Sequence, residues 1–419
     1  MDILAAAIFA AALALIGLEW VHRTKVALAG AALMVLTGAL DQEQAIEAVD
    51  WATLGLLAGM MVIVGVTEPT GVFTYLALRA AQLAGGRPLG LVFLLSFVTG
   101  ILSAFLDNLT AILLVVPVTL AVADLLRVSP IPLVLVEIFA SNIGGTATLI
   151  GDPPNIMIGT HRPELSFLDF IVNLAPVSLV TLAVTTAGLA LVFRGRLRIE
   201  PERALEVARL DPSRDLADRP LVVRTVAVLV GTIAAFFLHT ALHVEPAVVA
   251  LTGATVMLLI AAEDVEAALE RVHWSTLFFF LGLFVMVGAL EEQGVVERVA
   301  DGLRALTGES AAAQALVVLW GAAAGSALVD NIPFTAAMIP VVDRIQGGEF
   351  DDGLWWALAL GACYGGNATM IAAAANVAAT GVLDRTGHRV SFLGFLAVGL
   401  PVTLVSLAIA TVYLLLVHV

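Results

Sequence analysis

A single cysteine, Cys363, excludes an intramolecular disulfide and any cysteine-based metal cluster. Charge is scarce too: 13% of residues are Asp, Glu, Lys or Arg, against about 25% in soluble domains. Basic charge is the scarcer sign. Only 20 Lys and Arg stand against 35 Asp and Glu, a net charge of −15, which argues against a nucleic-acid partner. No GxxxxGK[ST] phosphate loop occurs, so any ATP drive needs a separate ATPase subunit. Leu149 precedes Ile150-Gly151-Asp152, so the Gly-x-Gly-Asp pattern of an intramembrane aspartyl protease is missing. The first 20 residues have an acidic lead and no small-x-small cleavage site, and read as a first membrane helix rather than a signal peptide.

Apolar sequence is what the chain has in excess: 60% of residues are hydrophobic. Apolar runs recur at 3–18, 26–40, 54–66, 89–106, 109–123, 131–139, 174–193, 221–238, 246–262, 277–290, 311–329, 354–362 and 392–417. Several approach the roughly 20 residues that a spanning helix needs. The expected fold class is therefore an all-α polytopic membrane protein with lipid as its surroundings. One long charged connector, 194–220, carries seven Arg and six Asp/Glu and reads as a cytoplasmic linker. Trp20, Trp51, Trp274, Trp355 and Trp356 are expected in interfacial belts. Glu68 and Glu291 are expected at membrane interfaces.

The chain repeats itself. Trp51, Gly59, Glu68 and Gly71 recur as Trp274, Gly282, Glu291 and Gly294, an offset of 223 that persists at Asp107/Asp330, Asn108/Asn331 and Pro117/Pro340. "GGTATLIGDPPN" from Gly144 recurs as "GGNATMIAAAAN" from Gly365, offset 221. Constant order at near-constant spacing marks two structural repeats, with expected bounds of 1–193, a linker at 194–220, and 221–419.

Charge counting sets their sense. With five crossings per half and the connector inside, 16 Lys/Arg fall inside and four (Arg162, Arg298, Arg304, Arg344) outside, as the positive-inside rule requires. The acidic loop at 347–353 falls outside. Five is odd, so the repeats have inverted topology, with both termini extracytoplasmic at a cell (inner) membrane. The segments 89–106 and 109–123 are either two spans or one re-entrant hairpin tipped by Asp107-Asn108; both add an even number of crossings.

Two polar signatures interrupt these runs. Asp107, Asn108 and Thr110, and again Asp330 and Asn331, sit in apolar sequence where a carboxylate is functional or paired. In 141–161, Gly144, Gly145, Gly151, Pro153 and Pro154 break a helix in mid-membrane sequence. Such a break is tolerated only where it lines a polar cavity. Asn142, Thr146, Thr148, Asp152 and Asn155 add hydrogen-bonding side chains. The second half keeps Asn367, Thr369 and Asn376 but replaces Asp152-Pro153-Pro154 with alanines. Together these residues form the expected substrate and proton site. No metal site and no cofactor are expected beyond a proton or sodium as coupling ion.

The broken-helix motif "GGTATLIGDPPN", with its preceding Leu-Asp-Asn hairpin, resembles the arsenite-efflux permease and NhaD-type sodium–proton antiporter group. That group belongs to the ion-transporter superfamily with the dicarboxylate/sodium symporters and the melanosomal P protein. The resemblance covers essentially the whole chain. It implies a scaffold of the first three helices of each half, and a transport domain with one re-entrant hairpin and one broken helix per half. The hairpin tips would be Asp107-Asn108 and Asp330-Asn331, and the breaks 144–155 and 365–376. The dicarboxylate relatives carry Ser-Asn-Thr at the tips; the carboxylates here disfavour an anion.

The function expected is therefore secondary transport, with proton-coupled arsenite or antimonite efflux first. Sodium–proton antiport and small-anion transport through the same residues are the alternatives. Neutral As(OH)3 would meet hydroxyl, amide and carboxylate groups. Sodium would suit two carboxylates with amides and carbonyls. A small inorganic solute or ion is the expected partner, and a homodimer the expected assembly. An arsenic-binding role for Cys363 is disfavoured, because one buried cysteine is usually packing.

Overall fold

The computed structural model describes residues 1–418 except 19, 86, 198, 200, 215, 262, 263 and 347–351, with the side chains of 201 and 204 also left out. The acidic loop at 347–353 thus lies mostly outside the described residues. No strand occurs among the described residues. Eight helices are long and apolar enough to cross a membrane, and three shorter apolar helices accompany them.

The first half runs α1 (Asp2–Gly17), α2 (Arg23–Leu36), α3 (Gln42–Glu47), α4 (Trp51–Thr67), α5 (Val72–Leu83), α6 (Pro88–Leu106), α7 (Asn108–Leu126), α8 (Ile131–Gly145), α9 (Pro153–His161) and α10 (Phe167–Phe193). A short helix, α11 (Pro201–Ala208), lies in the connector. The second half runs α12 (Arg219–Leu242), α13 (Pro246–Ile260), α14 (Val265–Glu270), α15 (Trp274–Glu292), α16 (Val295–Thr307), α17 (Ala311–Leu328), α18 (Asn331–Gln346), α19 (Asp352–Gly365), α20 (Ala374–Arg385) and α21 (Phe392–Val417). Each element of the first half has its counterpart, in order, in the second.

The packing repeats as well. Within each half the first hairpin arm lies along the first part of the broken helix, α6 on α8 and α17 on α19. Between halves the pairs exchange: α2 packs on α15 and α13 on α4, while α7 packs on α20 and α18 on α9. Such reciprocity is what a pseudo-two-fold relating two inverted repeats produces.

Helices α6 and α7 are joined by the single residue Asp107. The arms would each be long enough to span, and at their tip half-buried Asp107 and buried Asn108 lie beside the break between α8 and α9. The two arms thus form a helical hairpin whose tip meets the break, Ser141 donating to the Asn108 carbonyl at 2.8 Å. Small residues allow the close approach: a Cβ at Gly144 would lie 2.3 Å from the Gly100 carbonyl oxygen, so α6 and α8 meet backbone to backbone.

Two features differ from the sequence reading. Trp355 and Trp356 are fully buried rather than in an interfacial belt. Trp355 lies under the Arg162 guanidinium, 5.0 Å away, and Trp356 meets Phe170 edge-on. Trp20, Trp51 and Trp274 are exposed, as a belt requires. Second, α5 and α16 are helices that the apolar runs do not mark; each leads into a hairpin.

Candidate functional site

Both hairpin tips and both helix breaks converge. The Asn108 amide donates to Asn142 Oδ1 at 3.2 Å. Asn142 in turn donates to Asn367 Oδ1 at 3.0 Å and to Asn376 Oδ1 at 2.9 Å. Asn331 donates to Asp152 Oδ1 at 3.1 Å, linking the second tip to the first break. All six side chains are buried. A buried amide left without partners costs about 1–3 kcal/mol, so the network fixes how the four segments meet.

The breaks are built twice with the same parts. Asn155 Nδ2 donates to the Thr146 and Thr148 carbonyls at 2.9 and 2.8 Å. Asn376 Nδ2 donates to the Gly366 and Thr369 carbonyls at 2.7 and 2.8 Å. Each asparagine therefore satisfies carbonyls that a helix break frees. The threonine hydroxyls tie break to hairpin: Thr148 donates to the Ala104 carbonyl, and Thr369 to that of Ala327 at 2.8 Å. Thr146 turns back on its own helix, donating to the Asn142 carbonyl at 2.8 Å. Gly145 lets the break fold close: a Cβ there would lie 2.5 Å from the Gly151 carbonyl oxygen.

The three carboxylates occupy different surroundings. Asp107 adopts φ 121° and caps α7, accepting from the Thr110 amide at 2.8 Å and the Thr110 hydroxyl at 2.6 Å. That backbone region is essentially reserved for glycine and costs about 1–3 kcal/mol. Asp330 accepts from the Ile332 amide at 3.0 Å and from the Arg23 guanidinium at 3.2 Å. Asp152 is fully buried, and its Oδ2 has no hydrogen-bond partner among the described residues. The Asn367 amide nitrogen is likewise unpartnered.

A cavity of about 430 Å³ reaches this assembly from the α1–α2 turn, lined by His22, Arg23, Leu109, Asp330, Ile371 and Ala374 among others. A second, of about 550 Å³, lies near α3 and α16, lined by Glu47, Asp50, Glu291, Glu292, Glu297 and Met157 among others. Glu291 thus lines a vestibule.

The residues expected to form the substrate and proton site lie at the tips or the breaks. Sequence reading missed two others. Arg23, 307 residues from Asp330, gave no signal of that pairing. Glu137 did give one: it is a lone carboxylate in the run at 131–139.

Paired repeats with hairpin tips and helix breaks gathered in the protein interior are the architecture of many secondary transporters. The citrate transporter (CitMHS) family model matches residues 13–361. The chain belongs to that family, and with it to the ion-transporter superfamily. It is 43% identical over 422 residues to Uncharacterized transporter Rv2684 of Mycobacterium tuberculosis, covering 99% of this chain and 98% of the relative. It is 34% identical over 500 residues to the P protein of Mus musculus, covering 99% of this chain and 60% of that protein. The crystal structure of the Alcanivorax borkumensis YdaH transporter has a similar fold, with TM-score 0.58 at 17% identity over 93% of this chain and 95% of that one.

Proposed function

We propose that the chain couples proton movement to the transport of a small oxygen-rich solute bound between the two tips and the two breaks. The observation that carries this reading is that Asp107 and Asp330 stand at the two hairpin tips, next to Asn108 and Asn331, and that Asn331 of the second tip donates to Asp152 of the first break. Carboxylates buried in a membrane exchange protons, bind cations or pair with cations. One of the three is paired with Arg23; the other two have no cationic partner among the described hydrogen bonds and ion pairs.

Citrate is the first solute to test, because the matching family model bears that description. Three aspartates beside one arginine do not hold a free trianion, so citrate would enter with protons or cations that balance its charge. The Arg23 guanidinium tempers the objection that acidic tips raise against an anion. Arsenite stands second: neutral As(OH)3 needs no charge balance, and the amides of Asn108, Asn142, Asn155, Asn367 and Asn376 supply hydrogen bonds. Sodium–proton exchange through the same carboxylates stands third.

Access supports a carrier rather than a pore. The cavity at the α1–α2 turn is lined in part by Asp330, whereas the acidic cavity is lined by Met157 and Ala336 and shares no residue with the first. The orientation read from the positive charges puts the cavity at Asp330 on the cytoplasmic side.

The test is a proteoliposome preparation holding a pH-sensitive dye under an imposed pH gradient, given citrate, arsenite and sodium in turn. Proton movement driven by one of them supports the reading and names the solute. Silence to all three, in vesicles where the protein is shown to be folded, overturns proton coupling to this solute class.

A further inference from the structure

Glu137 lies in α8 among Val136, Ile138 and Phe139 and is 1% exposed. The Thr119 hydroxyl of α7 donates to its Oε1 at 2.5 Å, and its Oε2 has no hydrogen-bond partner among the described residues. No ion pair reaches it among the described residues. The helices packed on α8 offer little else. Helix α6 carries no charged residue, and α7 only Asp124. Helix α10 carries Asp169, and α19 carries Asp352, Cys363 and Tyr364. Helix α20 carries Asp384 and Arg385, and α21 has Tyr413. None of these hydrogen-bonds to Glu137.

The second half of the chain supplies the control. At the offset of 221, Glu137 becomes Leu358; at the offset of 223, Thr119 becomes Val342. Both are fully buried, and α18 packs on α19 as α7 packs on α8. The fold therefore accepts an apolar pair at this contact. A polar pair is retained only in the first half, where it spends burial energy on a carboxyl group that packing does not need.

Eight residues separate Glu137 from Gly145, so the carboxyl lies about 12 Å from the break at 1.5 Å per residue. It is displaced toward the end where α7 stops and α8 starts. We propose that Glu137, positioned by Thr119, is a proton-binding site of the transport cycle, separate from the tips and the breaks. This rests on the proton-coupled reading above. Oε1 keeps the Thr119 hydrogen bond, and the proton comes and goes at Oε2. Since the pair is closed between α7 and α8, exchange with water requires the hairpin arm to move against α8. Proton exchange is thereby tied to movement of the α6–α7 hairpin.

Infrared difference spectra of the full chain in lipid, between acidic and alkaline buffer, test this without any solute. Wild type should show the carbonyl-stretch band of a protonated carboxyl that is lost at alkaline pH. Glu137→Gln should remove it, Thr119→Val should shift it, and Asp107→Asn should leave it in place. A spectrum unchanged by Glu137→Gln overturns the proposal, as does a Glu137 band that ignores pH. The double variant Glu137→Leu/Thr119→Val, which reproduces the second half's own pair, keeps the experiment readable if the single change unfolds the protein. In proton-flux assays with whichever solute moves protons in wild type, Glu137→Gln should keep solute exchange and lose at least tenfold of the response to the pH gradient. An unaltered gradient response overturns the role. If Asp107→Asn transports normally while the Glu137 band still titrates, the tip reading fails and this one stands.

Discussion

Asn142 donates one side-chain amide to two acceptors of the opposite half, Asn367 at 3.0 Å and Asn376 at 2.9 Å. One residue of the first broken helix thereby holds the second break in place.

Asn142→Ala should therefore cost more than a typical surface change. It leaves Asn108, Asn367 and Asn376 each short of a buried partner, a loss of about 1–3 kcal/mol for each unsatisfied group. Thermal unfolding in detergent should show the drop, and solute-driven proton flux should vanish. A melting temperature equal to wild type would mean that Asn108, Asn367 and Asn376 find other partners without Asn142.

The Arg23–Asp330 pair should behave as a coupled unit. Removing one partner of a buried pair typically costs about 3–5 kcal/mol because the other charge is left bare. This pair is partly exposed, with side chains 23% and 6% accessible, so a smaller loss is expected. Arg23→Gln should destabilise more than Arg23→Gln/Asp330→Asn. A double-mutant cycle on unfolding measures the difference, and strict additivity would refute the coupling.

Asp107 holds a backbone conformation that suits glycine. Asp107→Gly should be more stable than Asp107→Ala by about 1–3 kcal/mol, since alanine keeps the strain and loses the Thr110 cap alike. Neither variant should move protons. Equal stability of the two would show that the tip relaxes.

Glycine contacts separate in the same way. Gly144→Ala would push a methyl into the Gly100 backbone, whereas a Cβ at Gly188 meets nothing within 4 Å. The first should cost about 1–3 kcal/mol through overpacking. The second should be neutral or stabilising by about 0.5–1 kcal/mol, as alanine is in a helix interior. Comparable melting temperatures would contradict the backbone contact between α6 and α8.

Much of this was legible in the sequence for one reason. A polar residue inside an apolar run is costly, and a costly feature that recurs at a fixed offset stands out, as Asp107-Asn108 and Asp330-Asn331 do. The paired glycines of the breaks were readable on the same ground. Arg23 was not, because its partner lies 307 positions away and nothing local distinguishes a snorkelling arginine from one that reaches a buried tip. Trp355 and Trp356 misled because an aromatic pair at the end of a run looks interfacial; whether that end faces lipid or protein depends on tertiary packing. Glu137 is a different case. Its lone carboxylate was visible, but the run around it reads as an ordinary span.

The central claim is that the tip carboxylates carry the coupled proton. Proton flux in proteoliposomes, compared side by side for wild type, Asp107→Asn and Asp330→Asn under the same pH gradient, tests it most directly. The account predicts solute-driven flux in wild type and a loss of at least tenfold in each variant, with both folded by thermal unfolding. Wild-type flux in either variant would contradict it for that residue, and in both would move the proton to other residues.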